Sequence, residues 1–185
     1  MKAGVLALQG DFREHAVVLG DLGATPVLVR TPAELDTVEC LAIPGGESTA
    51  IAKLARSRGL VQPIRERATG GMPILGTCAG MIVLAAEVEG GPPLLELMDI
   101  AVTRNAYGRQ VDSFEADVDV RGLGSVRGVF IRAPVVRRVG PSVEVLSEHA
   151  GEPVVCRQGS LVAAAFHPEL VGEDALHRAM LELVS

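Results

Sequence analysis

The chain has 185 residues, 48% of them hydrophobic, enough to bury a sizeable core as one domain spanning 1–185. Formal charge is −6 with scattered basic residues, which excludes a nucleic-acid surface. No segment approaches the roughly 20 apolar residues of a membrane span, and the first residues lack a signal-peptide pattern, so a cytoplasmic protein without membrane contact is expected.

Gly4 to Leu8 is a continuous apolar run, suited to a parallel strand buried on both faces. Phe12, His15, Ala16, Leu19 and Leu22 follow at helical spacing, with Asp11 placed to cap that helix, and Pro26 to Val29 gives a second strand. Cys40 to Ile43 predicts a third. Pro44-Gly45-Gly46-Glu47-Ser48-Thr49 then leads into a helix for which Ser48 is a suitable N-cap. Pro73 to Thr77 predicts a fourth strand and Met81 to Ala86 another helix. Strands alternating with helices imply right-handed βαβ units and a doubly wound α/β sheet.

From Asp99 onward the pattern changes to short strands punctuated by Gly122, Gly124, Gly151 and Gly159. They are predicted at 100–102, 114–120, 125–131, 143–146, 153–156 and 161–166, an antiparallel extension that returns to the main sheet. Glu173 to Val184 reads as an amphipathic helix on which His177 is structural.

Two strand ends carry chemistry. Gly76-Thr77-Cys78-Ala79-Gly80, between a strand and a helix, is a cysteine form of the nucleophile elbow, where small residues let the chain reverse and expose the thiol. The positive end of the helix macrodipole favours a thiolate at such a position. Leu161 to Phe166 ends in His167-Pro168-Glu169. Pro168 biases His167 towards extended backbone, and in an extended chain Glu169 projects to the same side, where a carboxylate fixes the ring tautomer. In open α/β sheets ligands bind at such carboxyl ends. Each motif alone also fits a tight turn or a surface histidine. The Gly45-Gly46 loop reads either as a turn before a capped helix or as a source of backbone N–H groups, Gly46 with Ala79, for an oxyanion. Three cysteines, odd in number and widely spaced, exclude a disulfide framework or a zinc ribbon, and Cys40 and Cys156 sit in strand-like runs as inert thiols.

Together, the Cys78 elbow, His167-Pro168-Glu169 and Pro44-Gly45-Gly46 resemble the class I (triad) glutamine amidotransferases. Leu8 to His15, Gly45 to Thr49 and Arg104-Asn105-Ala106-Tyr107-Gly108-Arg109-Gln110 resemble one family within them, the glutaminase subunit of pyridoxal 5′-phosphate synthase, and the match covers essentially the whole chain. The resemblance implies a flavodoxin-like fold with a three-layer, mostly parallel open sheet, hydrolysis of L-glutamine to glutamate and ammonia, and delivery of the ammonia to a synthase subunit. Carried over by position, Cys78 is the nucleophile, His167 the general base and acid and Glu169 its orienter. Gly46, Glu47, Ser48, Arg104, Ile131 and Arg132 match the glutamine-binding positions. Gln9 and its neighbours Asp11, Glu14 and His15 match the interface with the synthase. The mechanism calls for no metal or organic cofactor. Other readings are a glutaminase of another pathway, a cysteine peptidase or stress-response protein on a related fold, and a non-catalytic binding module.

Overall fold

The computed structural model describes residues 1–104 and 113–184. The chain runs β1 (Lys2–Leu6), α1 (Phe12–Asp21), β2 (Thr25–Val29), α2 (Pro32–Leu35), β3 (Cys40–Ile43), α3 (Ser48–Ser57), α4 (Val61–Thr69), β4 (Ile74–Thr77), α5 (Ala79–Leu84), β5 (Ala85–Glu89) and β6 (Met98–Thr103). It continues through β7 (Phe114–Val120), β8 (Gly124–Phe130), β9 (Val135–Val139), β10 (Glu144–His149), β11 (Glu152–Gln158), β12 (Leu161–Ala164), a 3-10 turn (Glu169–Val171) and α6 (Ala175–Glu182).

Seven strands form one mixed sheet in the order β10-β11-β12-β4-β3-β1-β2. The five from β12 to β2 are parallel, whereas β11 and β10 run antiparallel at one edge. Every residue of β3, β4 and β12 is buried, as continuous apolar runs require of central parallel strands. Leu41, Ile43, Ile74, Leu75, Val162 and Phe166 are the centre of the core. β5, β6 and β9 make a smaller sheet, and β7 and β8 a hairpin.

Several elements depart from the expectation. The helix of Met81 to Ala86 stops at Leu84, and Ala85 begins β5, which pairs in parallel with β6. Tertiary pairing overrides the helical preference of Ala-Ala-Glu there. β9, with its Val-Val-Arg-Arg-Val sequence, has no clean alternation and is set by pairing with β6. α2 carries a full capping box, the Thr31 side chain accepting from Glu34 N and the Glu34 carboxylate accepting from Thr31 N, with Pro32 in the first turn. That signal is local and readable in Thr-Pro-Ala-Glu. Ser48 does not cap α3; the Glu47 carboxylate accepts from Thr49 N at 2.9 Å and Ala50 N at 2.7 Å. Asp11 occupies the N-cap position of α1, but its side chain caps nothing.

Candidate active site

Four loops meet at the carboxyl ends of β1, β3, β4 and β12. Cys78 follows β4 directly, with φ +49° and ψ −104°, an uncommon conformation for a residue with a Cβ. Its N–H donates to Ala164 O of β12 at 2.8 Å, so the sheet itself fixes the elbow. Gly80 lets α5 start this close: a Cβ there would lie 2.2 Å from Ile43 O of β3. The thiol lies 3.8 Å from Ile131 O, at the end of the β8 hairpin.

His167 is held by an antiparallel bridge to β8, donating to Val129 O at 2.8 Å and accepting from Val129 N at 3.2 Å. The expected extended backbone therefore stands at His167 itself. The chain turns immediately afterwards, because Pro168 is helical (φ −70°, ψ −32°) and Glu169 opens a 3-10 turn. Glu169 reaches the ring through that turn rather than along an extended strand, with Oε1 2.9 Å from Nδ1 of His167.

A second carboxylate shares the same nitrogen. Asp11 Oδ2 lies 2.7 Å from Nδ1 of His167. Burial disfavours a charged ring, but hydrogen bonds to Asp11, Cys78 and Glu169 outweigh it and push the His167 pKa up to about 12. Burial likewise opposes ionisation of Glu169, yet His15 and His167 beside it hold the carboxyl well below its ordinary range. A proton therefore resides on His167 at neutral pH. Asp11, His167 and Glu169 each bring a ligand atom within 4.8 Å of the others, close enough for a metal ion. A metal there would have to replace the Nδ1 hydrogen that both carboxylates accept, which would uncouple the ring from its orienters.

The glycine loop wraps over the histidine. A Cβ on Gly45 would lie 2.1 Å from Cε1 of His167, so only glycine fits there. Gly46 has φ +146°, and Glu47 N donates to Gln9 Oε1 at 2.6 Å. Asp11 N in turn donates to Gly45 O at 3.4 Å. The segment from Gln9 to Asp11 is thus bonded to the glycine loop and to His167 at once.

These residues surround a cleft of about 370 Å³ lined by Gln9, Asp11, Gly46, Glu47, Ser48, Cys78, Ala79, Ile82, Arg104, Ile131, Arg132, His167 and Leu170. All six residues matched to glutamine binding are on this wall. Arg104 Nη2 donates to Thr49 Oγ1 at 2.9 Å and lies 3.3 Å from Glu47 Oε1. The Glu47 carboxyl is lowered first by the Thr49 N–H, which with Ala50 and Arg104 outweighs the opposing effect of burial. Of the Arg104 to Gln110 stretch, residues 105–110 lie outside the described residues.

The family model of the SNO glutamine amidotransferases matches residues 5–184. This chain belongs to that family. Pyridoxal 5′-phosphate synthase subunit PdxT of Acidothermus cellulolyticus is 54% identical over 194 residues, covering 100% of this chain and 94% of that protein. The PdxT subunit of Thermus thermophilus is 54% identical over 183 residues, with 97% and 96% covered. A crystal structure of a glutamine amidotransferase superposes with a TM-score of 0.94 at 52% identity, covering 98% of each chain. The PurLQS structure from Thermotoga maritima, at 17% identity and a TM-score of 0.77, shares the fold.

Of the four residues expected at the interface, His15 alone is withdrawn from the surface of this family member, while Gln9 and Asp11 are half-buried. His15 is fully buried and presents nothing to a partner; its ring packs behind Glu169. Asp11 turns its carboxylate inward onto His167, and Gln9 turns its amide inward onto Glu47, whereas Glu14 is exposed on α1. Sequence reasoning missed Asp11 as a partner of His167 because 156 positions separate them. Cys40 and Cys156 are buried, and burial pushes each thiol up to about 11, which suits inert core residues.

Proposed function

We propose that this chain hydrolyses L-glutamine to L-glutamate and ammonia and passes the ammonia to a synthase subunit that makes pyridoxal 5′-phosphate. The observation that carries this reading is Cys78 on its strained elbow beside a histidine whose Nδ1 is bonded to Glu169. The family membership and the names of the PdxT relatives supply the substrate and the partner. The strand order β2-β1-β3-β4-β12 supports the finer fold reading, a single flavodoxin-like domain of three layers.

The Cys78 sulfur, its proton already taken up by His167, attacks the carboxamide carbon of glutamine, and the developing oxyanion is taken by the N–H groups of Gly46 and Ala79. His167 already holds a proton, so it delivers one to the departing ammonia as the tetrahedral intermediate collapses to a γ-glutamyl thioester. Once ammonia has left, the ring accepts a proton from water as that water attacks the thioester; glutamate leaves and Cys78 is restored. Glu169 orients the ring throughout and stabilises it whenever it is an imidazolium. Arg104 and Arg132 suit the α-carboxylate of glutamine, with Arg104 set beside Glu47 and Thr49 on the wall of the cleft. Replacing Arg104 with alanine raises KM far more than it lowers kcat, by roughly 10- to 100-fold, the value of a charge-assisted hydrogen bond.

Gln9 links the oxyanion loop to the start of α1. Docking of the synthase near this segment orders the loop, so ammonia is released only when an acceptor is present. Steady-state ammonia release from glutamine, with and without the synthase subunit, tests both points. Strong activation with the partner is the expected result; equal rates refute partner gating, and no release in either case refutes the glutaminase reading. A peptide substrate cleaved in place of glutamine would instead favour a cysteine peptidase.

A further inference from the structure

The triad does not end at Glu169. Behind it lie Thr77, His15 and His177, three buried polar side chains, all 0% exposed, to which glutamine hydrolysis as described assigns no role. Thr77 ends β4, one residue before the nucleophile. Its hydroxyl donates to Glu169 Oε1 at 3.4 Å. Nε2 of His15 lies 3.1 Å from Thr77 Oγ1 and 3.3 Å from Glu169 Oε1, and Nδ1 of His15 lies 2.8 Å from Nε2 of His177. The three come from β4, α1 and α6, so the contact joins both helices to the catalytic strand end.

Hydrogen-bond directions at the Glu169 end are forced. An ionised carboxylate only accepts, so Thr77 donates its hydroxyl hydrogen to Oε1. The Thr77 oxygen then accepts, and Nε2 of His15 must carry a hydrogen whichever of the two oxygens it meets. His167, Thr77 and His15 all converge on Oε1, while Oε2 is buried and has no partner among the described residues. A carboxylate gripped through one oxygen is free to turn about its own axis unless those donors are fixed in space.

We propose that His15 is a positioning residue for the triad: through Thr77 and Oε1 it keeps the Glu169 carboxylate aimed at Nδ1 of His167, and His177 locks the His15 ring in that orientation. This rests on the glutaminase reading above. It also gives His15, a residue of the Leu8 to His15 stretch, a role inside the site.

The test uses the complex with the synthase subunit and compares His15→Leu with His15→Gln, whose amide keeps a donor at about the place of Nε2. His15→Leu lowers kcat by roughly 10- to 100-fold with KM changed by less than about twofold, the pattern of lost orientation rather than lost binding, and His15→Gln recovers most of it. Unchanged kcat in His15→Leu, equal losses in both variants, or a loss expressed in KM overturns the proposal. Thr77→Val against Thr77→Ser repeats the comparison should His15→Leu not fold. Long-range 15N–1H spectra of the wild-type rings give a reading independent of turnover: a hydrogen on Nε2 of His15 is expected, and a bare Nε2 sinks the idea. A wild-type complex that releases no ammonia strikes the glutaminase reading itself, whereas an active wild type with a fully active His15→Leu strikes only this proposal.

Discussion

Asp11 Oδ2 stands 2.7 Å from Nδ1 of His167, nearer than Glu169 Oε1 at 2.9 Å. One N–H therefore serves two carboxylates. Among the described residues, Glu169 alone of the two is enclosed by further donors, Thr77 and His15, on its far side, whereas Asp11 belongs to the segment that also bonds the glycine loop. The imidazolium is held by two anions, one of them enclosed by the donors behind it and the other on the segment bonded to the glycine loop.

Asp11→Asn separates the two contributions. Its carboxylate is the strongest of the groups that raise His167, so its loss lowers the pKa from about 12. The reaction needs a protonated ring, and the alkaline limb of kcat/KM moves to lower pH. A pH profile of the complex with its synthase measures the displacement; a limb that stays in place shows that Glu169 alone fixes the proton.

Cys78 offers a separation of stability from activity. Glycine normally costs about 1 kcal/mol relative to alanine, through backbone entropy. At φ +49° and ψ −104° that order should vanish or reverse, because any Cβ is strained there by roughly 1–3 kcal/mol. Cys78→Gly is therefore expected to be at least as stable as Cys78→Ala in urea unfolding, and both to lose glutamine hydrolysis entirely. A glycine variant clearly less stable than the alanine variant argues against strain at the elbow.

Gly45 reports on the space over the catalytic ring. In Gly45→Ala the new methyl would stand 2.1 Å from Cε1 of His167, and either the loop or the ring must give way. Overpacking of this kind costs about 1–3 kcal/mol. The activity loss should exceed what reduced stability explains, because displacing His167 breaks its alignment with Cys78 and Glu169. Thermal unfolding and turnover in the same preparation distinguish the two effects; a variant active at the wild-type rate contradicts the close approach of Gly45.

Much of the fold, and the meeting of Cys78, His167 and Glu169 at one site, is legible in the amino-acid sequence alone. The strands over Cys40–Ile43 and Ile74–Thr77 announce themselves as unbroken apolar runs, since a central parallel strand has no polar face to alternate. Cys78, His167 and Glu169 can be named because strand-end motifs are local. β5 and β9 are not legible, because Ala-Ala-Glu-Val-Glu and Val-Val-Arg-Arg-Val acquire their strand character from pairing with β6. Nor are Asp11 on His167 or His15 on His177: these contacts span 156 and 162 positions, and only the folded sheet brings them together. A histidine on an amphipathic helix reads equally as surface or core until its partner is known.

The buried histidines give the stability of the chain a particular pH dependence. His167 is raised from 6.5 to about 12, so what it contributes is fully present below 6.5 and is lost as pH rises towards 12. His177 is lowered from 6.5 to about 3, first by burial and then by the neighbouring His15, so its contribution is fully present above 6.5 and is lost as pH falls towards 3. Glu169, depressed below 4.5, adds a further loss on the acid side beneath that value. The two histidine effects cross near pH 6.5, where the chain is expected to be most stable. Urea midpoints at about pH 5, 6.5 and 8 test this. In His177→Phe the fall between about pH 6.5 and 5 should flatten whatever the variant's absolute stability, because the ring that must be protonated is gone; an acid slope equal to the wild type would place the acid sensitivity elsewhere.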